Sequence, residues 1–396
     1  LAQLIPAHAD LQRVAVLAPL SWSYAREAVL GVSRFARAFA RWSIRVEDAT
    51  VDAAERVVRL RPDGVVAHLS GDAMRRVLSA AGIPLVNTSG VLPGDGTPRV
   101  VPDNRAVGRL AAEHLLGRGF RRLAWTGLRQ AVYAQERKAG FVDAAVVAGV
   151  EVTQAPITFW HDAESDAAAA AEQQTIFRRW CDALLGPTGL FVSNDELAVR
   201  FTDGCLRCGV RVPDDLAILG ADDDEVLCET SYPPLSSVQV PAEQVGYEAA
   251  RVLAALIDGR PAPPGPVLVP PAAVRTRQST DVLAVADAEV AAALRHIRQH
   301  AEAGVDIDAM VDAMPISRRA LEIRFKRHVG HTILEEVHRR RLDRAKRLLA
   351  ETDLSVLEVA VRCGYTETQR LSEAFRRYEG ESPTGYRRRL RLDDAT

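Results

Sequence analysis

Cys205 and Cys208 are the residues whose spacing first suggests chemistry, because a CxxC pair can hold half a metal site or cycle as a dithiol. A metal site needs a second pair or histidines at ligand spacing, and neither is present. A redox pair would carry Pro or Gly between its cysteines and follow a strand. Leu206 and Arg207 stand there instead, inside a helical pattern, so the pair reads as two reduced helix cysteines. The five cysteines are too scattered for a disulfide framework. No GxxxxGK[ST] loop, GxSxG elbow or HExxH helix occurs, so neither an enzyme nor a cofactor or metal is expected. Glycoside hydrolysis would need two carboxylates at a fixed separation across the bond. The Asp-rich strand ends offer carboxylates for such a role, but the sequence alone does not set their separation. Asp195 follows an apolar strand and precedes a helix, where a carboxylate is either an N-cap or a ligand group. Asp103 stands before another helix, while Asp223 and Asp224 read as solvated loop charges.

These residues sit in a regular alternation. Continuous apolar strands are expected at 13–19, 44–47, 64–69 and 83–87, with helices at 24–39, 53–60 and 72–81 between them. The pattern then restarts with helices at 104–118, 137–148, 166–185, 196–208 and 242–257. Strands at 122–126, 155–159, 189–192 and 216–219 separate them. Strands apolar on both faces and separated by helices mean parallel sheets covered on both sides. The fold expected is therefore α/β, two doubly wound lobes in tandem, whose ligands bind beyond the carboxyl ends of the strands, between the lobes. The Pro- and Gly-rich stretch 259–271 breaks this pattern, an extended segment follows at 273–280, and the rest is helical. The division expected is 1–283 for the α/β part and 284–396 for an all-α part.

Charge follows the same division. Net charge is −2, yet residues 287–391 carry 21 Lys and Arg against 17 Asp and Glu, a net of +4 that leaves −6 for the remainder. A basic end on an acidic body suits a chain that meets phosphate at one end. No apolar run reaches the roughly 18 residues that span a bilayer, so no membrane association is expected. Leu1–Asp10 lack the basic-then-apolar order of a secretory signal, and a cytoplasmic location is expected.

Within the helical part, two blocks share one layout. In the first, a short helix (307–313), a turn at Met314–Pro315–Ile316 and a helix capped by Ser317 bury Leu321 and Phe325. In the second, Ser355 and Glu358 box a short helix, Cys363–Gly364–Tyr365 turns, and Thr366 with Gln369 boxes a helix burying Leu371 and Phe375. A long basic helix starting with a Thr332–Glu335 box joins them. Two helix-turn-helix units so joined can enter successive major-groove faces about 34 Å apart. The stretches ISRRALEIRFKRHVG (316–330), RRLDRAKRLLAETDLSVLEVAVRCGY (340–365) and SEAFRRYEGESPTGYRRR (372–389) resemble the AraC/XylS family of transcription regulators. By position, the resemblance implies base-edge contacts from Arg319, Glu322 and Ile323, and from Thr368, Gln369, Ser372 and Glu373. It implies phosphate contacts from Arg318, Lys326, Arg376 and Arg377. Pro315 departs from the usual turn Gly, and Ile323 and Glu373 replace longer polar groups. Ile323 suits a thymine methyl and Glu373 a cytosine amino group.

The first two-thirds resembles the sensor domain of the LacI/GalR family, with its type-I periplasmic-binding-protein fold. The matching stretches are VVPDNRAVGRLAAEHLLGRGFRRLAWTG (100–127), ERKAGF (136–141), FVSNDELAV (191–199), VPDDLAILGADDDE (212–225) and PPLSSVQVPAEQVGYEAARVL (233–253). Sensor first and AraC-type reader second is the layout of the xylose-operon regulators, which the linker LVPPAAVRTRQSTD (268–281) also resembles. The resemblance implies a monosaccharide effector, xylose foremost. Sugar hydroxyl pairs both donate and accept, which suits the planar forks of Asp, Asn and Arg. By position the hydroxyl binders would be Asp103, Arg137, Asn194, Asp195 and Asp222, and Trp160 the stacking aromatic, with Ser21, Trp22 and Tyr24 forming one wall. The resemblance further implies promoter DNA and RNA polymerase as partners, a homodimer, and activation. The alternatives are a repressor released by another sugar, or a sugar-binding transport receptor.

Overall fold

The computed structural model describes residues 11–94, 96–157, 167–285, 287–300 and 305–393. The chain divides into two compact units, the first ending at Val282 and the second beginning at Leu283.

The first unit opens with β1 (Gln12–Leu17), α1 (Ser23–Phe39), β2 (Trp42–Glu47), α2 (Val51–Leu60), β3 (Gly64–Ala67), α3 (Asp72–Ala80), β4 (Leu85–Asn87) and β5 (Val100–Pro102). These strands form the parallel sheet β2-β1-β3-β4, which β5 extends through a parallel bridge from Asn87 to Arg99. The alternation along β1 sends Val14 and Val16 to one face and Ala15 and Leu17 to the other. On the first face they meet Val32, Phe35, Val245 and Leu253, on the second Ala54, Val57 and Leu78. Burial on both faces is the reason that the strand reads as an unbroken apolar run.

The chain then builds a second lobe. It contains α4 (Asn104–Gly117), β6 (Leu123–Thr126), α5 (Val132–Val147), β7 (Val152–Gln154), α6 (Ala167–Asp182), β8 (Thr188–Val192), α7 (Asp195–Arg207), β9 (Leu216–Ala221), α8 (Glu225–Thr230) and β10 (Ser236–Val238). It returns to the first lobe for α9 (Ala242–Ile257) and β11 (Val267–Val269), which pairs with β5, and crosses back for β12 (Val274–Arg275). The second sheet runs β12-β10-β9-β8-β6-β7, parallel except that β12 lies antiparallel to β10. The α/β, two-lobed fold expected from the alternation is the one observed. Its strand at 155–159 falls earlier, at Val152–Gln154, and residues 158 and 159 lie outside the described residues.

Two glycine contacts fix the helix that carries Arg137. A Cβ on Gly108 of α4 would run into the Arg137 carbonyl, and one on Gly140 of α5 into the Arg105 carbonyl. The backbones of α4 and α5 therefore touch, as those of α1 and α9 do at Gly31 and Gly246.

The elements of the second unit's described residues are all helices: α10 (Ala288–His300), α11 (Ile307–Asp312), α12 (Arg318–Val329), α13 (Ile333–Glu351), α14 (Val356–Arg362), α15 (Thr368–Glu379) and α16 (Pro383–Asp393). The long α13 serves two cores. Ile333 and Val337 pack with Val290, Met310, Leu321 and Phe325; Leu342, Ala345 and Leu349 pack with Val359, Leu371 and Phe375. The capping boxes Thr332–Glu335 and Ser355–Glu358 form as the sequence indicates. The box expected from Thr366 and Gln369 does not. Glu367 occupies the N-cap of α15 without a side-chain bond, and the Gln369 amide donates to Glu373 Oε1 at 3.2 Å. An i, i+4 partner on the helix surface has taken the side chain from the cap.

Candidate functional site

The carboxyl ends of β8 and β9 hold most of the polar side chains named from the sensor motifs. Arg137, the sixth residue of α5, is 3% exposed. Its fork is distributed over three elements: Nε donates to Asn104 Oδ1 at 3.1 Å, Nη1 to the Ser193 carbonyl at 2.5 Å, and Nη2 to Asp222 Oδ1 at 2.9 Å. The guanidinium also lies 5.1 Å over the Tyr133 ring, one helical turn back. Asp222 keeps about a quarter of its side chain open, at 24%. It stands with φ at +119° and Asp223 with φ at +57°, both in the region that non-glycine residues rarely adopt. Such backbone costs on the order of 1–3 kcal/mol per residue and clusters where function requires it.

Asn194 caps α7, accepting from the Leu197 amide at 3.0 Å, and its amide nitrogen donates to the Tyr133 hydroxyl at 3.1 Å. Asp195 is 1% exposed and points away from open space. Its Oδ1 accepts from Ser237 Oγ at 2.6 Å and its Oδ2 from the Asp224 amide at 2.9 Å. Burial pushes its carboxyl up to about 7, and the Asp222 charge adds to the rise. The bonds from Ser237, the Asp224 amide and Cys228 oppose it. Burial raises Asp222 as well, against the pull of Arg137. Asp103 caps α4, accepting from the Ala106 amide at 2.9 Å. The next residue, Asn104, is buried and bridges Arg137 to Glu136.

Asp223 and Asp224 are not solvated loop charges. Asp224 caps α8 through the Leu227 amide, and the Asp223 side chain is 9% exposed. Asp223 accepts from Arg277 Nη1 at 2.9 Å, from Gln239 at 3.0 Å and pairs with Arg275 at 3.3 Å. Arg275 ends β12 and Arg277 follows it, so the misreading has a physical cause: Arg277 lies 54 residues beyond Asp223 in the chain.

The first lobe supplies the opposing wall. Tyr24, at the start of α1, donates its hydroxyl to the Thr88 carbonyl at 3.0 Å. Burial raises its phenol, with the Asp222 charge adding and that of Arg137 opposing. Trp22 is 45% exposed, and Ser21 is exposed with its carbonyl bonded to Arg26. The lobes meet where the Tyr133 amide donates to the Gly90 carbonyl at 2.8 Å, and a Cβ on Gly90 would approach the Tyr133 Cβ to 2.9 Å. Trp160 lies outside the described residues. The site thus gathers Arg137, Asn194, Asp195 and Asp222, faced by Tyr24. Asn104, Tyr133 and Ser193 join it without having been read from the sequence. Tyr133 was legible in principle, since it precedes Arg137 by one turn, but a helix begun at 137 leaves it in a loop.

In the second unit, α12 and α15 each bury one side and expose the other. Arg319, Glu322, Ile323 and Lys326 are exposed at helical spacing, opposite the fully buried Leu321 and Phe325. Gln369, Glu373 and Arg376 are exposed opposite Leu371 and Phe375, with Thr368 and Ser372 half-buried and Arg377 exposed beside them. Arg318 is held by Asp308 and by Glu322. Among the described residues, no group of side chains could hold a metal and no helix is long and apolar enough to cross a membrane.

Comparison with known proteins places both units. Residues 112–280 match the periplasmic binding protein-like domain model, and residues 310–389 a helix-turn-helix domain model. The xylose operon regulatory protein of Escherichia coli strain K12 is 31% identical over 391 residues, 95% of this chain and 96% of that one. That of Haemophilus influenzae is 28% identical, over 95% and 98%. A solved structure of the xylose-binding transcription activator xylR superposes with a TM-score of 0.76 at 29% identity, covering 96% of this chain and 99% of the other. A two-lobed binding domain joined to a double helix-turn-helix reader defines a sugar-sensing transcription regulator, not an enzyme. Within that class, the chain belongs to the family of the xylose operon regulatory proteins.

Proposed function

We propose that the effector is D-xylose, bound between the lobes, and that the bound form activates transcription from a promoter. The observation that carries this reading is the Arg137–Asp222 pair. Two fork-shaped side chains of opposite charge are held beside Tyr24 of the facing lobe, on a backbone strained at Asp222. Vicinal hydroxyls both donate and accept, so one sugar can satisfy the outward edges of both forks. Asn194 adds a third such edge and Asp103 lines the start of α4. Asp195 acts one step removed, holding the Asp224 amide and Ser237 so that the Asp222 loop keeps its shape. The choice of xylose rests on the related proteins, which are named for the xylose operon and for xylose binding.

The sensor spans 1–283 in this reading and the DNA reader 284–396. Arg319, Glu322, Ile323, Thr368, Gln369, Ser372 and Glu373 face base edges, while Arg318, Lys326, Arg376 and Arg377 take phosphates. Closure of the lobes on the sugar is a two-state hinge, and the sugar shifts it by its preference for the closed state. A homodimer would offer four recognition helices, and recruitment of RNA polymerase completes the activation.

The test is calorimetric titration of the purified protein with D-xylose, L-arabinose, D-ribose, D-glucose and D-galactose. Saturable xylose binding that Asp222→Ala abolishes supports the reading. Tighter binding of another of the five replaces xylose as effector, and binding of none removes the sugar site.

A further inference from the structure

His68 follows the last residue of β3, at the carboxyl end of the first lobe's sheet, where strand ends face the second lobe. It is 6% exposed, and its backbone is tied to β1 through the Leu17 carbonyl at 2.8 Å. Among the described residues, neither ring nitrogen has a hydrogen-bond partner. The neighbouring polar groups are already committed. The Tyr24 hydroxyl bonds to Thr88, and Asn87 Oδ1 accepts from the Ser89 and Leu69 amides. What surrounds the ring is aromatic: Trp22 edge-on at 5.5 Å and Tyr24 at 6.0 Å. A hollow beside it is otherwise lined by apolar side chains such as Val16, Ala25 and Val32, with Tyr24 and Thr88 at its edge.

An imidazole in such surroundings is an expensive core residue. A buried polar group left without a partner has lost its hydrogen bonds to water with nothing in return, and a leucine would fill the same space without that cost. Burial also pushes the ring down to about 4, so it is neutral at pH 7. A neutral imidazole has one donor and one acceptor nitrogen, a complement to a hydroxyl that does both. Position matches chemistry. Tyr24, 6.0 Å from the His68 ring, feels the charges of Asp222 and Arg137 of the other lobe, and Glu27 further along the same helix feels that of Asp222.

We propose that His68 is a sugar-reading residue of the first lobe, its imidazole bonding a hydroxyl of the monosaccharide that Arg137 and Asp222 hold from the second. Trp22, edge-on to the ring and half open, then covers the sugar's apolar face. This assignment rests on the sugar-binding reading of the cleft. It adds an imidazole to the wall formed by Ser21, Trp22 and Tyr24, a group able to discriminate between sugars by the placement of one hydroxyl.

The experiment titrates the full-length protein, and its His68→Leu, His68→Gln and Asp222→Ala variants, with the same five sugars, and records the thermal midpoint of each without sugar. His68→Leu should weaken the best-bound sugar about ten- to a hundredfold, the equivalent of one to two hydrogen bonds. His68→Gln, which keeps a donor and an acceptor, should recover most of that loss. The sugar-free midpoint of His68→Leu should be unchanged or raised, because an unpartnered imidazole has been replaced by an apolar group. Affinity within twofold of the unaltered protein in His68→Leu, alongside lost binding in Asp222→Ala, removes His68 and leaves the sugar site standing. A lowered midpoint that tracks the loss of affinity makes His68 a structural support and overturns the proposal. Absence of binding by any of the five sugars, or binding that survives Asp222→Ala, removes the cleft reading and this one with it.

Discussion

Asp195 shows how a residue can be central to a site without facing a ligand. Both its oxygens hold the protein, one through Ser237 and one through the Asp224 amide, and the groups facing it are Asp222, Cys228, Ser237 and that amide. Its carboxyl rises from the ordinary 3.8 to about 7, with burial the larger cause and Asp222 the second. Between about pH 4 and pH 7 the folded state therefore binds more protons at this position than the unfolded chain does. Stability from this group is greatest below pH 4 and declines as pH rises to 7. Asn in its place accepts and donates without titrating. In Asp195→Asn the sensor's midpoint of denaturant unfolding should fall less between pH 5 and pH 7 than in the unaltered protein. Equal falls in the two proteins would show that Asp195 titrates as an ordinary carboxylate. The same buried geometry predicts a modest functional effect for this substitution, and a large one for Asp195→Ala, which frees the Asp224 amide.

Elements place these residues, and the close contact of α4 with α5 is the clearest case. Alanine is a better helix former than glycine by about 1 kcal/mol, so Gly140→Ala in an isolated helix would stabilise it. Here the new Cβ meets the Arg105 carbonyl, a backbone group that cannot swing aside. The helices must separate, and overpacking of this kind costs about 1–3 kcal/mol. Gly140→Ala should thus lower the sensor's stability by about 1–2 kcal/mol in urea and, by moving Arg137, weaken sugar binding. Increased stability would show that the helices have room. The recognition helices make a complementary case: Arg376→Ala should weaken binding to all DNA and shallow the salt slope by about one, whereas Gln369→Ala should chiefly relax operator discrimination. Uniform weakening by Gln369→Ala would make it a backbone contact. Most of these elements were legible because strands buried on both faces and helices with capping boxes leave local signals. Three-residue strands such as β5, β10 and β11 leave none, being shorter than any periodicity. The start of α5 was hidden because Ala131 offers no side-chain cap, and Tyr133 was lost with it. Arg137, Asn194 and Asp222 could be named from motifs. Their partnership with Asn104 and Ser193 could not, because it depends on which strands lie side by side.

At the scale of the whole chain, the question is how a sugar between the lobes could be felt at the end of the sensor. A continuous set of bonds runs that way. Asp222 holds Arg137 in the cleft, and its neighbour Asp223, equally left-handed, holds Arg277. Arg277 also pairs with Glu229, and its amide donates to Ser236 Oγ. Ser279 Oγ accepts from the Ser236 amide and donates to the Ile218 carbonyl, while Thr280 bonds Ser236, and Arg118 donates to the Thr280 carbonyl. The segment so clamped ends two residues before the second unit begins. Asp222 and Asp223 share one peptide, so a ligand that turns Asp222 must displace either its own backbone or the Arg277 pair. A sugar that turned Asp222 would bias the same pair that clamps the exit segment, which is what a coupling element requires. Removing one charge would leave the other with only its outer partner, Glu229 for Arg277 or Arg275 for Asp223, and a buried group so unbalanced destabilises the sensor by itself. The informative variant therefore replaces both, Asp223→Asn with Arg277→Gln. Its sugar affinity should stay within about threefold of the unaltered protein, because neither residue faces the sugar. Its change in DNA affinity on adding sugar, ordinarily 5- to 150-fold for a coupling of about 1–3 kcal/mol, should shrink to about twofold. The measurement is operator binding by fluorescence anisotropy with and without saturating sugar. An undiminished response in the double variant would mean that the signal leaves the sensor by another route, most directly through the lobe contact at Gly90 and Tyr133.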